Sequence, residues 1–148
     1  MFDVYANYLK ADTKAEKEVY NVGLAANVAK NLELTYDYAW GDKEYNDKVS
    51  KDGYVVGLNY KGAGAEAGSY GLHAAYYDQP VNAYLVPTFD MPRFEDGYEG
   101  WSIGADYTLA KNIQLSVNYY DSEAKLVTAG EKKKADDQRV FNELNFFF

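Results

Sequence analysis

The chain of 148 residues has no cysteine, which removes disulfides, thiolate metal sites and cysteine nucleophiles together and leaves the redox compartment open. It is also short of positive charge. With 15 Lys+Arg against 23 Asp+Glu the formal balance is −8, and a nucleic-acid partner is excluded because phosphate binding needs a basic face. There is no apolar run of about 18 residues, so no transmembrane helix is expected. That leaves membrane-spanning strands untouched, because strands cross a bilayer with alternating residues and keep mean hydropathy low. The Met1-Phe2-Asp3 start has neither a basic region nor an apolar stretch, so a processed or re-engineered form, or a chain that is not exported, is expected. What the chain has in plenty is aromatic side chains. They make up 17% of it, 16 of them tyrosine, although the mean hydropathy of −0.51 is that of an ordinary soluble protein.

Periodicity reconciles these values. From Tyr20 every second residue is apolar (Tyr20, Val22, Leu24, Ala26, Val28), with Asn21, Gly23, Ala25 and Asn27 between them. This is a strand with one apolar face. The pattern repeats in Leu32 to Trp40, Tyr54 to Tyr60, Tyr70 to Tyr76, Trp101 to Leu109 and Ile113 to Tyr119. The alternate face holds mostly Gly, Ala, Ser, Thr, Asn and charged residues. Weaker alternation at Phe2 to Tyr8 and Val140 to Phe148 completes a set of eight strands, read as one domain over 1–148.

The connections alternate in length. Short ones fall at Lys30-Asn31, at about Gly62 to Gly68 and at Ala110 to Asn112; long, charged ones fall at 11–18, 41–53, 78–100 and 121–138. Residues 22–39 (VGLAANVAKNLELTYDYA) also align with 103–120 (IGADYTLAKNIQLSVNYY), an internal repeat of one strand–turn–strand unit. The expected fold is therefore all-β, a transmembrane antiparallel up-and-down β-barrel with eight strands visible, either a complete small barrel or half of a larger one. A soluble β-sandwich also alternates, but with shorter strands and without connections sorted by length. The expected location is a bacterial outer membrane, with long loops extracellular and both termini periplasmic. Tyr38, Trp40, Tyr54, Tyr76 and Trp101 fall at the loop ends of apolar faces, and Phe2, Tyr60, Tyr70, Tyr107, Phe146 and Phe148 near the turn ends, as two interfacial girdles would require.

On the inward face, Asp3, Glu33, Asp37, Asp106 and Glu143 outweigh Lys61 and Arg139, with His73 among them, so these eight are the candidate pore-lining residues. Rings of carboxylates favour cations; the alternative is an internal network in which the charges pair. Gly23, Gly57 and Gly104 face inward at matching heights, for backbone relief or for a wider lumen. The longest connection carries Asp90, Arg93, Glu95 and Asp96, the candidates for a loop that narrows the channel. No enzyme is expected. His73 is the only histidine, and Ser69, four residues earlier on the same strand face, is about 13 Å away, too far for a nucleophile–base pair. No cofactor or metal is expected, since the acidic loop pairs read as solvated charge. Lys132, Lys133 and Lys134 read as a solvated loop tip, with lipopolysaccharide phosphate as an alternative contact.

The closing FNELNFFF places Leu144, Phe146 and Phe148 at alternate positions with Phe148 last, although Asn142 interrupts the alternation. This resembles the C-terminal assembly signal of bacterial outer-membrane proteins. The longer run GYEGWSIGADYTLAKNIQLSVNYYDSEAK through FNELNFFF resembles the C-terminal barrel region of OmpM-type putative porins of Veillonella- and Selenomonas-like diderm Firmicutes. The wall-binding S-layer-homology domain and coiled coil of that family are not within this sequence. The resemblance implies a porin for passive diffusion of small hydrophilic solutes or ions, with outer-membrane lipid and lipopolysaccharide, the barrel-assembly machinery and two further copies of itself in a homotrimer as partners. The alternative is a closed eight-stranded structural or adhesive barrel without transport.

Overall fold

The structure is a computed structural model describing residues 2–11, 17–42, 48, 50–83, 97–126 and 134–147. Strands form wherever the sequence alternates. They are β1 (Phe2–Ala11), β2 (Lys17–Ala29), β3 (Leu32–Gly41), β4 (Asp52–Lys61), β5 (Tyr70–Pro80), β6 (Gly97–Ala110), β7 (Ile113–Ala124) and β8 (Asp136–Phe146). A 3₁₀ turn, Val81–Ala83, follows β5. All eight strands join one sheet in sequence order, each antiparallel to the next, so the fold is an all-β up-and-down meander as the alternation requires. Among the described residues no ladder joins β8 to β1, and the sheet has two open edges.

The repeat identified in the sequence is a repeat of backbone geometry. The β2–β3 ladder shifts register between Asn27 and Ala29, and the β6–β7 ladder shifts at the matching positions Thr108 and Ala110. Asn31 and Asn112 then close the two turns with φ of 59° and 61°. A bulge followed by a left-handed residue matches turn twist to strand twist, and asparagine tolerates that region better than most residues.

The connections depart from the expected sorting. Pairing continues out to Ala11↔Lys17, so the first long connection shrinks to 12–16 and is shorter than 62–69, which belongs to the turn end. Length alone therefore does not separate the two ends; what 62–69 does with its extra residues is taken up below.

Burial runs opposite to that of a soluble sheet. Trp101, Ile103 and Leu109 are 44%, 55% and 52% exposed, while Ser102 and Thr108, on the other face of the same strand, are 4% and 1% exposed. The face carrying Gly23, Gly57, Gly71, Ser102, Gly104, Thr108 and Ser116 is the buried one at these positions, opening only toward the edge strands and the turn at Asn27. The sheet thus curls over its small, polar residues and turns its apolar ones outward. At the loop end this concave face also covers Val19, Tyr98, Tyr120 and Ala124, and the 81–83 turn folds back against β3, β4 and β6 with Asn82 donating to the Ser50 carbonyl at 3.1 Å.

The inward glycines have a packing reason. Tyr5, Gly23 and Asp37 share one rung, and the Tyr5 ring lies where a side chain on residue 23 would stand. His73, Gly104 and Asn118 share another, and a Cβ at residue 104 would meet both neighbours. A glycine on the middle strand lets side chains two strands apart touch across it. Gly57 differs, because its missing Cβ faces only the Thr35 side chain. Gly104→Val is expected to cost about 1–3 kcal/mol through overpacking. Gly57→Ala should stay within about 1 kcal/mol, since Thr35 can rotate. Urea unfolding read by folded-state gel mobility checks the order; equal losses would contradict this account of Gly104.

Candidate channel face and the polar networks on it

The concave face carries two hydrogen-bonded clusters, each built on one of the glycine rungs. In the first, the Tyr5 hydroxyl donates to Asp37 Oδ1 at 2.5 Å across Gly23, and Asn21 Nδ2 adds longer bonds to Asp37 Oδ1 at 3.4 Å and to the Tyr38 carbonyl at 3.3 Å. In the second, His73 Nε2 lies 2.6 Å from Asn118 Oδ1, and His73 Nδ1 lies 3.6 Å from Asp106 Oδ2. Ser116 donates to Asp106 Oδ1 at 2.5 Å. Between the clusters Tyr77 and Ser102 share a bond of 2.8 Å, and toward the turn end Asn59 Nδ2 donates to Glu33 Oε1 at 3.2 Å. Hydroxyls and amides therefore bond these carboxylates, and among the described residues no lysine or arginine contacts any of the three.

The sequence candidates distribute unevenly. Glu33, Asp37, His73 and Asp106 stand half-buried on the concave face in these networks. Asp3 and Glu143 are on the same face near the open edges and are exposed. Arg139 is there too, but its guanidinium is held by Asp137 Oδ2 at 3.0 Å, a carboxylate the sequence reading left out. Lys61 corrects the expectation. It borders a polar recess of about 440 Å³ with Asn27, Asn31, Glu33, Asn59 and Gly62, yet its ammonium ends on Tyr70, 2.8 Å from the hydroxyl and 4.1 Å from the ring centroid. Its φ of 59° takes it out of strand alternation and lets the side chain reach the outward aromatic row. The concave face is accordingly more acidic than the sequence implied, having gained Asp137 and lost the ammonium of Lys61. Asp90, Arg93, Glu95 and Asp96 lie outside the described residues, as does Phe148. Leu144 and Phe146 are exposed on the outer face of β8, in line with Leu115 and Ile113 of β7.

The outer face carries an order that reading each strand separately did not show. Ring contacts run from strand to strand: Tyr8 to Tyr20 at 5.2 Å, Tyr20 to Trp40 at 5.6 Å, Tyr54 to Tyr76 at 6.2 Å and Trp101 to Tyr119 at 5.3 Å between centroids. On every strand from β2 to β7 a carboxylate lies two residues beyond the aromatic, on the same face and toward the long connections. The pairs are Tyr20 with Glu18, Trp40 with Asp42, Tyr54 with Asp52, Tyr76 with Asp78, Trp101 with Glu99 and Tyr119 with Asp121. The signal is present in the sequence, but it emerges only when the strands are laid side by side. Part of this acidic row is neutralised. Lys125 Nζ lies 2.6 Å from Asp78 and 2.9 Å from Glu99, and Lys134 lies 3.0 Å from Glu99 and 3.1 Å from Glu123. The hydrogen bond to Glu99, then that to Glu123, holds the Lys134 ammonium above the ordinary lysine range.

The fold so far defines a class: an antiparallel all-β meander whose apolar face is the exposed one. Comparison with protein-family models, with curated proteins and with solved structures finds no match to this chain.

Because Tyr5 is bonded across Gly23 to the Asp37 side chain but is 40% exposed, Tyr5→Phe is expected to cost about 1 kcal/mol. Tyr36→Phe, on the outer face, should be close to neutral by the same unfolding measurement. A neutral Tyr5→Phe would show that the bridge over Gly23 contributes nothing to the curl of the sheet.

Proposed function

We propose that the chain is a β-barrel region of an outer-membrane porin, its apolar face toward lipid and its concave polar face toward a water-filled path for small hydrophilic solutes or cations. The observation that carries this reading is the inverted burial, with serine, threonine and glycine inside and tryptophan, isoleucine and leucine outside. Leaving so large an apolar surface in water is unfavourable by roughly 25 cal/mol per Å², whereas facing acyl chains it costs nothing. Three further features support it. Strands of 10 to 14 residues are long enough to cross the hydrocarbon at a barrel's tilt. Aromatic rings form rows near the loop and turn ends, where amphipathic rings prefer the headgroup level. The acidic row just beyond the loop-end aromatics marks where the outer surface returns to water.

A bilayer also constrains the two open edges. Each unpaired N–H or C=O in hydrocarbon costs several kcal/mol, so in the membrane β1 and β8 are paired, with each other or with further strands. The even strand number leaves β1 and β8 running in opposite directions, which suits antiparallel pairing in either case.

Reconstituted into planar bilayers, the protein is expected to give stable ohmic steps. Their absence would favour a closed structural barrel, a reading that draws support from the side chains bridging Gly23 and Gly104. Under a salt gradient the reversal potential should indicate cation preference, and Asp37→Asn with Asp106→Asn should shift it toward zero, because both carboxylates lie on the concave face and among the described residues no lysine or arginine contacts them. Anion selectivity in the unmodified protein would overturn this part of the reading. Insertion itself is checked by Trp40 and Trp101, whose fluorescence should be quenched most by lipids brominated near the headgroup rather than at the chain end.

A further inference from the structure

The connection between β4 and β5 is not a tight turn. At Lys61 the chain leaves the ladder with φ of 59°, and Gly62 then crosses the inner side of Gly71, where a Cβ would come within 3.1 Å of the Gly62 Cα. From there residues 63–68 run over the concave side of β6 and β7. Thr108 is the anchor. Its hydroxyl donates to the Gly64 carbonyl at 2.6 Å, and its backbone exchanges bonds with the strap through Gly68 N (2.8 Å) and Ser69 O (3.0 Å). Ser69 Oγ lies 3.1 Å from Thr108 Oγ1, bonds the Gly64 and Glu66 carbonyls, and accepts from Gly64 N at 2.9 Å. The far end is tied by Asn112 N to the Ala65 carbonyl at 3.2 Å and more loosely by Gln114 Nε2 to the Ala63 carbonyl at 3.5 Å.

Thr108 is only 1% exposed and Gly71 is buried, and the strap lies against both, with the Gly64 carbonyl on the Thr108 hydroxyl and Gly62 on Gly71. The two other turn-end connections, Lys30-Asn31 and Lys111-Asn112, show that two residues suffice to reverse the chain at this end. The additional residues of 62–69 therefore go into covering the concave face, and hydroxyls and carbonyls hold them there in one fixed conformation.

We propose that the 62–69 strap is the narrowing element of the channel, placed at the turn end and pinned by Thr108 and Ser69. This rests on the channel reading of the concave face and adds where that channel is narrowest. The strap presents small residues, backbone carbonyls and one exposed carboxylate, Glu66, so it sets diameter and adds to the negative charge of the carboxylates above it.

Because the chain has no cysteine, Ala65→Cys places a single thiol on an exposed residue of the strap. Single-channel conductance of the full chain in planar bilayers is then measured before and after a cationic methanethiosulfonate reagent. Modification is expected to cut the conductance roughly in half by narrowing the pore. Thr108→Val with Ser69→Ala, which removes the pinning hydroxyls and keeps side-chain volume, is expected to raise it roughly twofold or to make it fluctuate between levels. If the unmodified protein conducts and the Ala65→Cys channel is unaffected by the reagent, the strap lies off the path and the inference is overturned, whatever the second variant does. If the unmodified protein does not conduct, the channel reading fails first and takes the strap with it.

Discussion

The alternation of small polar and large apolar residues along each strand is the constraint from which the rest of the molecule follows. Successive side chains on a strand point to opposite faces, so one sequence period decides at once what the sheet shows to each side. In a soluble sheet the large apolar side would be covered. Here the small side is covered, because glycine, alanine, serine and threonine let the sheet curl tightly over them and leave the bulky residues splayed on the convex surface. In the membrane setting we propose, such a surface meets a solvent as apolar as itself, and the aromatic rows at its upper and lower limits fit a solvent of finite thickness.

Once the sheet is curled, the buried part of the concave side must satisfy its polar groups with few opposite charges at hand. The chain manages this with local bridges. Tyr5 with Asp37 and His73 with Asn118 meet over a glycine on the intervening strand, and Ser116 caps Asp106 within the second cluster. The same glycines that permit curvature thereby become crossing points for the network. Among the described residues no buried side-chain nitrogen or oxygen lacks a partner. On this face Glu33, Asp37 and Asp106 are bonded by hydroxyls and amides, and among the described residues no lysine or arginine contacts them, an arrangement that fits the cation path we propose.

The two ends of the sheet differ in how they treat the opening. At the turn end the 62–69 strap is drawn inward and fastened to Thr108; at the loop end the 81–83 turn folds back on β3 and β4. Outside, the loop end is bounded by paired aromatic and acidic rows tied by Lys125 and Lys134, and the turn end by Lys61 laid against Tyr70. This asymmetry gives the molecule a direction across the membrane in which we propose it sits.

Strand number, strand order, the outward apolar set and the repeated strand–turn–strand unit were all legible from the sequence, because each depends on a period of two or on a local pattern that neighbours in sequence set; the bulge and left-handed asparagine inside each turn were not. Glu33, Asp37, His73 and Asp106 were placed on the inner face for the same reason. Three matters were decided only in three dimensions. Lys61 left its face because a positive φ rotated it toward Tyr70, a torsion that alternation does not encode. The aromatic and acidic rows became rows only when ladder register set distant strands side by side, and Asp137 joined Arg139 on the inner face because β8 extends back to Asp136. The inward course of 62–69 was hidden most completely, since its anchor Thr108 lies 39 residues beyond Ser69 and the bonds that hold it are between groups that any turn of similar composition also carries.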